Sequence, residues 1–142
     1  MTVGAILAGR DGAIWSARGE ERVADVVALL TEKRIGAVPV LDGDEVVGIF
    51  SERDVMHCLT RHGAVALDML VRDVMTSPVV SIDSTAPVLT ALSLMSRRRF
   101  RHLPVIDDGA LTGFVSIGDL VKYRIERIEA EAAAMRDYIA GS

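Results

Sequence analysis

Apolar residues fall along this chain in two alternating periods, and the whole pattern is written twice. A short apolar run from Ile14 to Ser16 precedes a stretch in which Val23, Val26, Val27 and Leu30 recur at helical spacing. An apolar run from Gly36 to Leu41, a turn at Asp42, Gly43 and Asp44, and a second run from Val46 to Phe50 then predict a β-hairpin. Ser51 and Asp54 stand three apart at the head of the next helical stretch, Val55 to Thr60, as a capping serine and its acidic partner. The order returns with a strand at Val79 to Ile82 and a helix face of Val88, Ala91, Leu92 and Met95. Strands at Leu103 to Ile106 and Leu111 to Val115 follow, around Asp107, Asp108 and Gly109, and then Ser116 and Asp119 open a helix from Leu120 onward. Thr85 or Ser84 is expected to cap the second copy's first helix, with Pro87 in its opening turn.

Laying Ile14 to Asp54 over Val79 to Asp119, a shift of 65 without a gap, gives ten identities in 41 positions, among them Pro39/Pro104, Gly48/Gly113, Ser51/Ser116 and Asp54/Asp119. This is an internal duplication. Each copy predicts a small three-stranded sheet with helices on one side, and a second copy can cover the face left bare, so the fold class expected is α/β (α+β), two tandem repeats related by a pseudo-two-fold axis. The boundaries expected are 1–66 for the first repeat with its N-terminal helix, 67–124 for the second, and 125–142 for an extension of the last helix. A linker over Arg61 to Asp68 breaks at Gly63 and leads into Leu67, Leu70, Val71 and Val74, a short helix whose counterpart at the amino end is Val3, Ile6 and Leu7. In the extension Val121, Ile125, Ile128, Ala132, Met135 and Ile139 are spaced as a helical seam that should cover a partner subunit, a homodimer being expected, and Gly141 with Ser142 should end the helix.

With 142 residues and 50% apolar content, the chain can bury a core of its own. The lone cysteine, Cys58, excludes an intrachain disulfide, and no cleavable leader is visible before Ala5, so a cytoplasmic setting is expected. The longest apolar runs are strand-length, which argues against a membrane partner. A formal charge of -4 disfavours a nucleic-acid partner, despite Arg97 to Arg101, Lys122 and Arg124. The sequence has no Gly-rich loop ending in Lys-Ser/Thr, no His-Glu-x-x-His and no cysteine pair, so it is not expected to be an enzyme. Cys58 and His62, four apart, offer at most a weak two-ligand pair, and Cys58 reads better as a small packed residue.

The stretches Ile35 to Val40, Gly48 to Asp54, Val74 to Thr76, Arg101 to Val105 and Gly113 to Asp119, in that order, resemble the CBS domain family in tandem, the pair known as a Bateman module. The chain looks like the small stand-alone CBS-pair proteins, which form homodimers and hold adenine nucleotides in clefts between paired repeats. The resemblance implies a non-catalytic regulatory module that takes AMP foremost, with ATP or NAD as alternatives, and acts on a regulated protein of unknown identity.

Residue by residue, the resemblance places Ser116 and Ser51 beside phosphate and Asp119 and Asp54 on the ribose. Each pair is also a complete capping box that needs no ligand. Gly118 leaves room for a sugar, where Arg53 in the first copy either reaches a phosphate or is solvated. Arg101 and His102 are implied phosphate contacts, giving the Asp119 site a basic lining and leaving the Asp54 site Gly36 and Ala37. Adenine is expected beside Thr76, Pro78, Val79 and Val80 in the second copy and beside Ile14, Trp15 and Ser16 in the first, Trp15 serving equally as an interface aromatic. The rival reading is a structural or adaptor protein with unoccupied clefts that works by dimerisation.

Overall fold

The computed structural model describes residues 1–10 and 12–141. The elements in chain order are α1 (Val3–Ala8), β1 (Ala17–Arg18), α2 (Val23–Lys33), β2 (Ala37–Asp42), β3 (Glu45–Ser51), α3 (Glu52–His62), α4 (Val71–Val74), α5 (Val88–Arg98), β4 (His102–Asp107), β5 (Ala110–Ser116) and α6 (Ile117–Gly141), with a 3-10 helix over Gly63–Asp68. Adding 65 to the bounds of α2, β2 and β3 gives those of α5, β4 and β5. The irregularities repeat as well. Both ladders slip one residue, between Val40 and Leu41 and between Val105 and Ile106, and both first helices end on a left-handed arginine, Arg34 (φ 55) and Arg99 (φ 57).

β1 lies parallel to β2 and β2 antiparallel to β3, making the three-stranded sheet of the first repeat. The second repeat pairs only β4 with β5, its third strand reduced to one parallel bridge between Ile82 and Val105. The strands expected at Ile14 to Ser16 and Val79 to Ile82 are corrected accordingly. Pairing starts at Ala17, which is buried against Val40, while Ile14 and Trp15 turn away from the core toward a cleft.

Two separate cores result, and they divide the chain differently from its order. Val23, Val26 and Leu30 of α2, Val38, Val40 and Phe50 of the sheet, and Cys58 of α3 pack with Ala66 and with Val71 of α4. The other core joins Val88, Ala91, Met95, Leu103, Val105, Val115 and Leu120 with Val3 and Ile6 of α1. Thus α1, expected in the first repeat, packs on the second, and α4, expected to open the second, packs on the first. The backbone holds this exchange at matching places, Val23 N–H donating to Met69 O at 2.9 Å and Val88 N–H to Met1 O at 3.2 Å. The two identical glycines accept the exchanged segments, because a Cβ on Gly48 would strike Met75 and one on Gly113 would strike Leu7.

Neither Ser84 nor Thr85 caps α5, whose N-cap is Pro87. Carboxylates are stronger acceptors and take both hydroxyls: Ser84 Oγ and N–H donate to Asp107 Oδ1, and Thr85 bonds Asp83. Asp107 consequently ties the β4–β5 turn to the segment before α5. α6 anchors Leu120 in the second core and then runs on, with Val121, Ile125, Ile128 and Met135 exposed. Gly141 lies within this helix, and Ser142, expected to help end it, lies outside the described residues.

Because Val3 is fully buried in the second core, Val3→Ala should cost roughly 2 kcal/mol. The loss should appear as faster native-state amide exchange in β4 and β5, with β2 and β3 less affected. Equal loosening of both sheets would contradict the assignment of α1 to the second core.

Candidate functional site

Both helices that follow a hairpin start at a reciprocal cap. Asp54 N–H donates to Ser51 Oγ at 3.4 Å while Ser51 N–H and Oγ–H donate to Asp54 Oδ2 at 2.9 and 3.0 Å. In the second copy Asp119 N–H donates to Ser116 Oγ at 3.1 Å and Ser116 N–H to Asp119 Oδ2 at 2.8 Å. The first N–H of each helix is also used, Glu52 on Gly36 O and Ile117 on Arg101 O. Among the described residues, the N–H groups of Arg53 and Gly118 are then the donors each helix start has left for an anion.

Each capped start borders a cleft. The first, of about 550 Å³, is lined by Ser51, Arg53 and Asp54 together with Thr76, Pro78, Val79 and Val80, and with Phe100, Arg101 and His102 of the second repeat. The second, of about 470 Å³, joins Ser116 and Asp119 to Ile14, Trp15, Gly36 and Ala37 of the first repeat, with Arg10, Arg34, His102 and Phe114 on its walls. Both volumes lie in the range of small-molecule sites.

The grouping of these residues is crossed relative to expectation. Arg101 lines the Asp54 cleft, not the Asp119 cleft, and Thr76, Pro78 and Val80 go with it; Ala37, Ile14 and Trp15 lie in the Asp119 cleft. The cause is the meeting of the two hairpins at their strand starts, where a Cβ on Gly36 would lie 3.4 Å from His102 Cε1. Each strand start therefore faces the cleft of the other repeat's helix. Ser16 and Gly118 lie outside both linings. Sequence reading missed Arg10, Arg34, Phe100 and Phe114; packing across the repeats brings the first three to a wall, whereas Phe114 reaches its wall from β5, two residues before Ser116.

The electrostatics of the two carboxylates differ. Asp54 is 8% exposed, and its second oxygen accepts from Thr76 Oγ1 at 2.7 Å. Asp119 is more open and is paired by Arg10, Nη2 to Oδ2 at 2.5 Å. Burial pushes the Asp119 carboxyl up, but the Ser116 N–H and the Arg10 guanidinium outweigh it and hold it below the usual carboxylate range. Arg53 Nη1 donates to Arg99 O at 3.1 Å, tying α3 to the end of α5. Trp15, 44% exposed, carries the Lys33 ammonium 4.2 Å above its ring.

His102 lines both clefts, with its ring stacked on Phe114 at a centroid distance of 5.6 Å. Burial lowers its pKa, against the opposing pull of Asp119 and Glu52, and Arg101 lowers it further. Cys58 is buried, donates to Val55 O, and has its thiol pKa pushed up by burial, which fits a small packed residue, while His62 is exposed. Among the described residues no three His, Cys, Asp or Glu side chains cluster as metal ligands, and no helix is long and apolar enough to cross a membrane.

The family model of the CBS domain matches twice, over residues 14–61 and 71–126. The chain belongs to the CBS domain family. Its fold is similar to the crystal structure of a small CBS-domain protein from Burkholderia ambifaria, described as a putative signal-transduction protein, with 36% identity, a TM-score of 0.84, and 89% of this chain covering 95% of that one. CBSX2, solved in complex with AMP, is similar at 27% identity and a TM-score of 0.75, with 88% of this chain and 96% of that chain covered. A CBS domain-containing mitochondrial protein of Arabidopsis thaliana, CBSX3, is 32% identical over 127 residues. The match covers 86% of this chain and only 62% of that protein's length.

The burial of His102 sets a pH dependence. An unfolded chain binds a proton at this imidazole near pH 6.5 and the folded chain resists it, so stability is present above that pH and is lost as pH falls through the lowered folded value. Thermal unfolding of His102→Gln should show a smaller loss between about pH 7 and pH 5 than the parent chain. Identical losses would remove His102 as the cause.

Proposed function

We propose that the chain is a regulatory module that binds an adenine nucleotide, AMP foremost and ATP or NAD-like ligands as alternatives, in both inter-repeat clefts, and catalyses no reaction on it. The observation that carries this reading is the composition of each cleft: a Ser-x-x-Asp helix start from one repeat facing an apolar segment and basic side chains contributed largely by the other. A carboxylate can accept both ribose hydroxyls, the helix start and a nearby hydroxyl suit phosphate, and an apolar slot suits adenine. The AMP complex of CBSX2 supports the choice of ligand. In the Asp54 cleft Val79, Val80, Ile49 and Phe100 would hold the base, Asp54 the ribose, and Ser51, Arg53, Arg101 and His102 the phosphate. In the Asp119 cleft Ile14 and Trp15 would hold the base, with Asp119 and Ser116 in the other roles.

Because each cleft is built from both repeats, ligand stabilises their docking by linkage, and that is the means of regulation proposed. The setting proposed is cytoplasmic, the regulated partner a protein, with neither nucleic acid nor membrane involved. Calorimetric titration with AMP should keep one class of site in Asp54→Asn and in Asp119→Asn, each change weakening its own cleft by roughly tenfold to a hundredfold, the worth of hydrogen bonds to a charged group. The double variant should be weakened to that extent at both clefts. Undiminished binding in the double variant would sink this assignment.

The exposed stripe of α6 supports a further part of the reading, assembly as a homodimer, since an apolar seam of this length is seldom left in water. Sedimentation at micromolar concentration should give a dimer, and Ile128→Glu combined with Met135→Glu should shift it toward monomer. A monomeric parent chain would refute the proposal.

A further inference from the structure

Arg10 follows α1, and its guanidinium reaches Asp119 in the lining of the second cleft. One terminal nitrogen pairs with Asp119 Oδ2 at 2.5 Å and the other donates to Phe114 O at 3.1 Å. It thus sits on the carboxylate assigned to ribose. The Asp54 cleft holds its carboxylate differently. There the hydroxyls of Ser51 and Thr76 take the oxygens, and a hydroxyl can rotate to offer its own oxygen to a sugar. A guanidinium has no acceptor to offer. Both members of the Arg10–Asp119 pair are 36% exposed, so the pair resists displacement only weakly.

From this contact we infer that Arg10 is the specificity-determining residue of the Asp119 cleft: it occupies the ribose carboxylate when the cleft is empty and selects nucleosides that carry a phosphate. The inference rests on the nucleotide reading above and deepens it. Arg10 and the Ser116 N–H both use Oδ2 of Asp119, so a neutral nucleoside whose two ribose hydroxyls take both carboxylate oxygens separates Arg10 from its only ion-pair partner among the described residues and gives the guanidinium nothing anionic in exchange. A nucleoside 5′-phosphate brings its own dianion, which matches the planar donor fork bidentately. The swap of carboxylate for phosphate keeps the charge of Arg10 compensated throughout. Arg34 and His102 on the same walls add to the preference but are not tied to Asp119. In the first repeat's cleft Arg101 and Arg53 are basic too, yet neither pairs with Asp54, so discrimination of this kind belongs to the second cleft alone.

The experiment uses the full chain carrying Asp54→Asn, so that the Asp119 cleft is read by itself, and titrates AMP and adenosine into it with Arg10 intact, as Arg10→Ala and as Arg10→Lys. With Arg10 present, AMP should bind well and adenosine poorly. Arg10→Ala should improve adenosine by about three- to fivefold, the scale of a half-exposed ion pair, while weakening AMP by about tenfold. Arg10→Lys keeps the charge without the fork and should retain a reduced preference for AMP. A preference for AMP over adenosine unchanged in Arg10→Ala overturns the inference and leaves the nucleotide reading standing. Failure of AMP and adenosine to bind any of these chains, or the parent chain with Asp54 and Arg10 intact, overturns both.

Discussion

Two short helices trade places, and the rest of the molecule depends on that trade. α1 precedes the first repeat in sequence yet its Val3 and Ile6 are buried with Val88, Met95 and Leu120 of the second. α4 follows the first repeat and buries Val71 back into it. A repeat of two or three strands and two helices is small for a core that must offset chain entropy, and each additional buried side chain is a substantial fraction of the net stability. The exchange makes each core borrow from a segment that the chain's order assigns to the other. Separating the repeats would uncover apolar surface in both, so the pair is held together by the same contacts that complete each half.

The clefts inherit this interdependence. Arg10 and Leu7 reach the Asp119 cleft because α1 is seated on the second repeat, and Thr76 reaches Asp54 because the segment after α4 bridges to Ile49, with Ile49 N–H donating to Thr76 O at 3.0 Å. Neither cleft can be assembled from one repeat. Gly36 and His102 stand on a wall common to both, so a shift at one strand start is felt on either side. The His102 imidazole, half-buried and stacked on Phe114, is a stiff element in that position, since moving it breaks the stack and its partial burial opposes protonation.

Much of this is legible in the sequence, for reasons that can be assigned to particular residues. The hairpins and the Ser-x-x-Asp caps follow from local chemistry, with apolar alternation, Asp and Gly at turns, and a hydroxyl placed three residues before a carboxylate, and they recur at a constant offset of 65. What local chemistry does not encode is which repeat a segment packs against. Val3 and Val71 carry the same signal, an apolar helix ahead of a strand, and nothing in that signal says that they cross over. The misgrouping of Arg101 with Asp119 has the same origin, because two residues of one repeat were assigned to one cleft when the packing sends one of them to the other. Arg10 was invisible for a further reason: a single arginine at the end of a short helix has no pattern until Asp119 and the Phe114 carbonyl are seen beside it.

On the nucleotide reading, the two clefts differ also in what continues from each. α3 starts at Ser51 and stops at Gly63, within its own repeat, whereas α6 starts at Ser116 and runs 25 residues, well past its last core contact. A helix is stiff along its axis over such a length, so a small tilt at its first turn becomes a larger displacement at Met135. Ligand can bias that tilt only if the two positions of the helix bind it unequally. On the inference that ribose displaces Arg10 from Asp119, such a difference exists, because Arg10 pairs with Asp119 in the first turn of α6 when the cleft is empty. On that inference the carboxylate that caps the helix, the arginine that holds it and the apolar stripe beyond would act as one lever. The Asp54 cleft, lacking both the arginine pair and the long helix, would contribute stability to the pair of repeats without moving the surface that α6 presents.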